Sequence, residues 1–287
     1  MNTISSLSRN LTLRSKTILI GVGLLCVLAG VMFWRNQRQT SHSMQQEYVA
    51  RARSIILTAE SVREEMARKW DLGLFDAHQL THWGREGELE KILGAVPVVT
   101  AWNAAMAKAD EGGYEFRVPK FHPRNPKNEP DELEARALHA FAQDDALDEY
   151  HEIDPAINAV RYFRPIRLTR ECMLCHGDPQ RSSELWGNDR GLDPTGTKME
   201  DWEVGQVHGA FEVVQSLDEA DARAAAAFWT NLCIVAGLIV GSGGIFYLLI
   251  TRSITRPIRA TVQAVQAFAA GDLSRRLIAR FGGNIPW

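Results

Sequence analysis

Hydrophobic and polar positions divide the chain into two uninterrupted apolar runs and a patterned stretch between them. Thr17 to Trp34 carries no charge over ~18 positions, enough to cross a bilayer with little tilt, and Phe228 to Ile250 does the same over ~23. A cleaved leader is the alternative for the first run, because basic residues precede it. Its length, the large residues that end it and the lack of a small-x-small site favour an anchor. Beyond it, Met44, Tyr48, Ala52, Ile55, Ala59, Val62 and Met66 recur at alternating steps of four and three. Arg51, Arg53, Arg63, Glu64 and Lys69 fall mostly on other faces. That stripe predicts one long helix, which either pairs with a second copy or packs as an ordinary amphipathic helix on its own domain. Asp71 to Thr81, polar and containing Gly73, reads as a break.

Pro97 to Lys108 predicts a further helix, ended by Gly112-Gly113. Tyr114, Phe116 and Val118 alternate with Glu115 and Arg117, a strand with one buried face. His122 to Pro130 is proline-punctuated loop. Pro130 followed by Asp131, Glu132 and Glu134 opens a helix with acids in its first turn, running to about Phe141. Strands are expected over Glu149 to Ile153 and Ala159 to Leu168, with a turn from Asp154-Pro155 to Asn158. Arg181 to Gly205 reads as irregular loop and Gly205 to Gln215 as a last strand, after which an alanine-rich helix leads into the second apolar run. Helices first and then an antiparallel sheet make an α+β domain.

The chemistry is concentrated in Cys172-Met173-Leu174-Cys175-His176. Two thiols three apart with an imidazole directly behind them is the c-type haem attachment pattern, the thiols adding across the vinyl groups and the histidine becoming a proximal ligand. A zinc site needs a companion cluster of ligands, and the chain has only four cysteines. Neither a strand-to-helix context nor a proline-rich turn marks a redox dithiol here. The motif therefore points to one covalent haem c. The other thiols, Cys26 and Cys233, lie inside the apolar runs as small packing residues.

Basic residues orient the chain. Arg9, Arg14 and Lys16 precede the first run, Arg252, Arg256 and Arg259 follow the second, and Arg35 and Arg38 weaken the first signal. Both termini in the cytoplasm fits the second run best, which places the intervening segment in the periplasm, where haem is attached to thiols. The expected division is residues 1–16 cytoplasmic, 17–34 and 228–250 transmembrane in the inner membrane, 35–227 periplasmic and 251–287 cytoplasmic. A net charge of −3 without a basic, aromatic-laced cluster implies no nucleic-acid partner. No nucleophile–base pairing stands apart from the haem motif, so no enzyme is expected.

Several ordered blocks together carry a resemblance: Tyr114 to Arg117, Pro123 to Pro130, Arg161 to Pro165, Cys172 to Pro179 and Gly209 to Val213. The chain resembles the periplasmic c-type haem sensor domains of PAS-like fold, which sit between two membrane spans ahead of a HAMP relay. The resemblance implies that Cys172 and Cys175 hold haem covalently and that His176 is proximal. The distal position is then filled by water or from the long helix or the loop after it, where the candidates are Met66, although its place on the stripe suits it better to packing, His78 and His82. For the haem carboxylates Arg164 is the first candidate among Arg161, Arg164, Arg167 and Arg170, and Arg124 the second, because guanidinium pairs with carboxylate as a fork. Past the second span, Pro257 and the heptad-spaced Ile258, Val262, Val265 and Ala269, closed by Gly271-Asp272-Leu273, resemble a first HAMP helix. No second HAMP helix is expected before Trp287, which reads as a truncated receptor or half of a split system. The implied function is a membrane-anchored sensor of redox state or a small gas. It is expected to be a homodimer through the long helix and the HAMP helix, serving a kinase, cyclase or chemotaxis output. A tethered electron-transfer cytochrome is the alternative.

Overall fold

The computed structural model describes residues 13–271, in two compact units: Ser41–Arg223, and the flanking segments up to Thr40 and from Ala224. Helix α1, Leu13–Asp71, runs without a glycine or proline after Gly30 and ends at Gly73, whose φ of 73° suits a left-handed cap. Two helices pass the length and hydropathy test for a membrane span, one in α1 and one in α9 (Asp218–Ile250). Their apolar windows are almost wholly exposed. Within that unit Phe33 packs edge-on against Phe228 with ring centroids 5.0 Å apart. A π turn at Thr251–Thr255 then leads to α10, Arg256–Ala269, where Ile258, Val262 and Val265 stay exposed.

In the unit Ser41–Arg223, short helices α2 (Ala77–Glu86), α3 (Leu89–Ala95), α4 (Pro97–Met106) and α5 (Ala109–Gly112) precede strand β1, Glu115–Arg117. Helix α6 (Glu132–Gln143), strands β2 (Tyr150–Asp154) and β3 (Ala159–Arg167), helices α7 (Met173–His176) and α8 (Ser182–Trp186) and strand β4 (Val207–Ser216) follow. The sheet is antiparallel throughout in the order β1-β4-β3-β2, so the fold is α+β as expected.

Alternation along β3 and β4 explains the two cores. Tyr162 and Ile166, with Phe211 and Val213, face Ala52, Ile56 and Ala59 of α1. Phe163 and Ala210 face Leu133, Ala137, Leu138 and Phe141 of α6. Both faces are covered, which is why Ala159 to Phe163 is buried residue after residue. Ala52 and Ala59 of the α1 stripe, with Ile55 and Val62 partly buried beside them, thus pack on the chain's own sheet.

Two expectations need correction. The break after α1 does not reach Thr81, because Asp76 and Gln79 form a capping box that starts α2 at Ala77. The stretch from Arg181 to Gly205 is not wholly irregular. It holds α8, whose Trp186 is buried against Leu80, Ile92 and Met199, and an antiparallel bridge between Leu192 and Lys198. A five-residue helix has little propensity of its own, and burial of Trp186 is what fixes it.

Candidate functional site: a cysteine-histidine turn at an apolar cavity

A 3₁₀ turn, Arg170–Cys172, runs straight into α7, so Cys172 and Cys175 stand one helical turn apart on a shared face. The turn is clamped from three directions. The Trp186 indole donates to the Leu174 carbonyl at 2.9 Å, the Trp202 amide donates to the His176 carbonyl at 2.8 Å, and an Arg124 Nη donates to the Cys175 carbonyl at 3.2 Å. Burial pushes the Cys175 thiol up to about 12, so it stays protonated rather than acting as a free nucleophile.

The His176 ring stacks on Trp202 at 5.2 Å, 11° from parallel, and its Nδ1 lies 2.7 Å from Glu200 Oε2. Burial disfavours ionisation of Glu200, but the hydrogen bonds from His176 and Arg124 outweigh it and hold the carboxyl at about 2. An ionised carboxylate on Nδ1 fixes the imidazole orientation and leaves the Nε2 lone pair for a metal, the usual outer-shell arrangement of metal-binding histidines. Arg124 completes the chain, bonding Glu200 at 2.7 and 2.9 Å and Asp193 at 2.6 Å.

A cavity of about 330 Å³ opens beside this turn. Trp70 from α1, Leu80 from α2, Ile92 from α3, Trp102 from α4 and Ile166 from β3 supply its apolar walls, and Cys172, Cys175 and His176 stand at one side. Arg63, Lys120, Arg124 and His208 also line it. Gly209 permits the approach of the Pro119–Lys120 backbone: a Cβ there would lie 2.7 Å from the Pro119 carbonyl oxygen. His208 meets Trp202 edge-on at 3.7 Å and lies 5.1 Å from the His176 ring. Burial first, then the Lys120 charge, holds His208 neutral, down at about 2. Its Nδ1 is buried without a hydrogen-bond partner.

The structure brings together Cys172, Cys175, His176 and Arg124 from the sequence-derived set. It does not bring Arg164, which faces α1 and bonds Glu60 at 3.0 and 3.1 Å. Met66 is half-buried on α1 and not among the lining residues. His78 and His82 are exposed, two residues either side of the buried Leu80 and thus on the opposite face of α2. Arg124 lines the cavity, but its guanidinium is already committed to Glu200 and Asp193. Glu200, Lys120, His208 and Trp202 were not indicated by spacing, since all lie on segments distant in sequence from the Cys172–His176 turn, Glu200 and Trp202 on one loop.

An apolar slot with a paired thiol turn and a histidine oriented by a carboxylate fits a haem group. Replacing Glu200 by glutamine should loosen the ring: with haem bound, the expected result is broadened or mixed-spin absorption bands, while Glu200→Asp stays near wild type.

No curated protein matches the sequence. The crystal structure of the cyanobacterial haem protein Tll0287 is 25% identical, overlaps 41% of this chain and 70% of that one, and aligns with a TM-score of 0.32. Residues 249–283 match the HAMP domain, extending past the described residues, where the expected lack of a second HAMP helix also falls. Residues 38–216 match the Tll0287-like family model, and with well over half its length so matched the chain belongs to the Tll0287-like family.

Proposed function

We propose that the protein is a membrane-anchored haem sensor, with one haem c held by Cys172 and Cys175, His176 as proximal ligand, and a PAS-like domain facing the periplasm. The observation that carries the reading is the Cys172–His176 turn, with Nδ1 of His176 fixed on Glu200, standing at the side of an apolar cavity in a chain that also matches a HAMP domain. Bound there, haem would supply a redox-active iron able to take a small ligand. The chain's own residues do the rest. Glu200 and Trp202 orient His176, and the apolar walls restrict water.

Relay follows from connectivity. Arg63 and Trp70, on the cavity wall, belong to the same helix α1 that carries the first apolar run. His208 and Gly209 sit on β4, which is followed directly by α9 and then α10. A change at the cavity that alters packing on α1 or β4 has a covalent path to the HAMP segment, and HAMP-type helices offer two packed arrangements to bias. Exposed Ile258, Val262 and Val265 on α10 are the surface on which a second copy would pair.

The test combines spectra and cross-links. Absorption of the purified protein, oxidised, reduced and with carbon monoxide or nitric oxide, should show a haem c that responds to redox state or binds gas. Cysteines placed at Ile258 and Val262 should change their cross-linking with haem state. Reporter fusions after Gln39 and Val214 should read as periplasmic, and one after Arg259 as cytoplasmic. Cross-links indifferent to both redox state and gas, with fast electron exchange to a soluble cytochrome, would instead indicate a carrier.

A further inference from the structure

We infer that Lys120 and Arg63 form the carboxylate-binding wall of the cavity and hold the two propionates of the haem; this rests on the haem reading above. Three cations line the cavity, and they are not equivalent. Arg124 is satisfied by two carboxylates. Lys120 and Arg63 have no carboxylate within ion-pair distance among the described residues. The other buried or partly buried arginines of the domain differ from these two, since each has a carboxylate partner. Arg53 pairs with Glu149, Arg117 with Glu134, Arg161 with Glu212, Arg164 with Glu60 and Arg167 with Asp145.

Lys120 is the stronger of the two. Only 8% of its surface is exposed, yet its ammonium meets nothing but His208 Nε2 at 2.6 Å and the face of Trp202 at 4.9 Å. Neither contact neutralises it. A buried ammonium without a counter-ion is costly, and burial accordingly lowers Lys120 to about 8. The nearest acid acting on it, Glu200, is already held by Arg124 and His176. The backbone is arranged to keep the charge there, since the Ala210 amide donates to the Pro119 carbonyl at 3.1 Å across Gly209. Arg63 donates to the Arg167 carbonyl at 2.5 Å, which aims its guanidinium while leaving the charge uncompensated. Two unpaired cations at the wall of an apolar slot suit a ligand that is apolar in its body and dianionic at its edge. This assignment replaces Arg164, whose side chain is turned to Glu60, and changes Arg124 from a ligand-binding residue to one that positions Glu200 and His176.

The test uses the full chain carrying covalent haem, in detergent, comparing wild type with Lys120→Gln, Lys120→Arg and Arg63→Gln. Covalent attachment keeps the pigment in place, so the contact itself can be read. Resonance Raman propionate-bending bands should shift in Lys120→Gln and Arg63→Gln, and Lys120→Arg should restore them. Loss of a nearby cation favours ferric iron, so at a fixed ambient potential the ferrous-to-ferric ratio should fall about tenfold in Lys120→Gln. Should Lys120→Gln not fold, Arg63→Gln carries the same measurement. Propionate bands unmoved in both variants overturn the inference, even if the redox ratio shifts, because a charge at a distance moves the ratio alone. A wild-type protein that matures without haem overturns the haem reading as well, and is distinguished by its lack of colour.

Discussion

Replacing Cys172 and Cys175 together by alanine is expected to abolish covalent pigment, and replacing either alone to weaken its retention sharply. Co-expressed with a c-type maturation system, the wild-type protein should remain coloured through denaturation and acid-acetone extraction, because thioether bonds survive both. The double variant should release essentially all of its colour. The geometry supports two attachment points rather than one: the thiols stand a single helical turn apart, and the turn is tied by the Leu174, Cys175 and His176 carbonyls to Trp186, Arg124 and Trp202. His176→Ala should keep the thioethers but change the ferrous spectrum, since it removes the iron ligand and not the anchor. The spectrum also decides the sixth position. If Met66 ligates, a low-spin spectrum becomes high-spin in Met66→Ala; a wild type that is already high-spin indicates water or an open site. A colourless product containing zinc would sink the haem reading.

What the sequence disclosed and what it withheld follow from how local each signal is. The cysteine-histidine turn was legible as a candidate because its pattern lies within five consecutive residues. Helix α6 was legible because Asp131 and Glu134, four positions inclusive, make a capping box with both bonds formed. The same signal stood at Asp76 and Gln79, where polar side chains read as a break although they were starting α2. The stripe of α1 was legible as a stripe, but its partner was not: only the fold shows Ala52 and Ala59 against Phe211 and Val213. Site residues outside the motif depend on long-range closure. Glu200 reaches His176 from 24 positions downstream, and Lys120 meets His208 across 88. The place of Arg164, away from the cavity, was hidden for a related reason. Strand parity puts it on the face of Tyr162 and Ile166, toward α1, where Glu60 waits 104 positions earlier in the chain.

Arg161→Met is expected to destabilise the domain by about 3–5 kcal/mol, more than any surface change, because it leaves the buried carboxyl groups of Glu134 and Glu212 sharing Arg117 and removes their hydrogen-bond partner. Arg161 is 4% exposed and sits between β3 and α6, bonding Glu212 Oε1 at 2.6 Å and Asp131 at 2.7 Å, with Glu134 at 3.3 Å. Glu134 and Glu212 are both fully buried, and only Arg161 and Arg117 offset them. The loss should appear as a fall in melting temperature of roughly 6–20 °C for a domain of this size. Arg161→Met and Glu212→Leu together should recover part of it, since the buried Glu212 carboxyl that would have lost its hydrogen-bond partner is then gone. The same cluster predicts a pH dependence whose sign is set by Glu212. Burial, reinforced by its bond to Glu134, pushes that carboxyl up to about 9 against the attraction of Arg161. A group raised in the folded state adds stability that is complete below its unfolded value near 4.5 and is lost as pH climbs toward 9. The wild-type domain should therefore melt progressively lower between about pH 5 and pH 9, and Glu212→Gln, which keeps the shape and cannot ionise, should flatten that slope. An identical slope in the Gln variant would show that Glu212 is ionised throughout, with Arg161 and Arg117 carrying the pair as a conventional salt bridge.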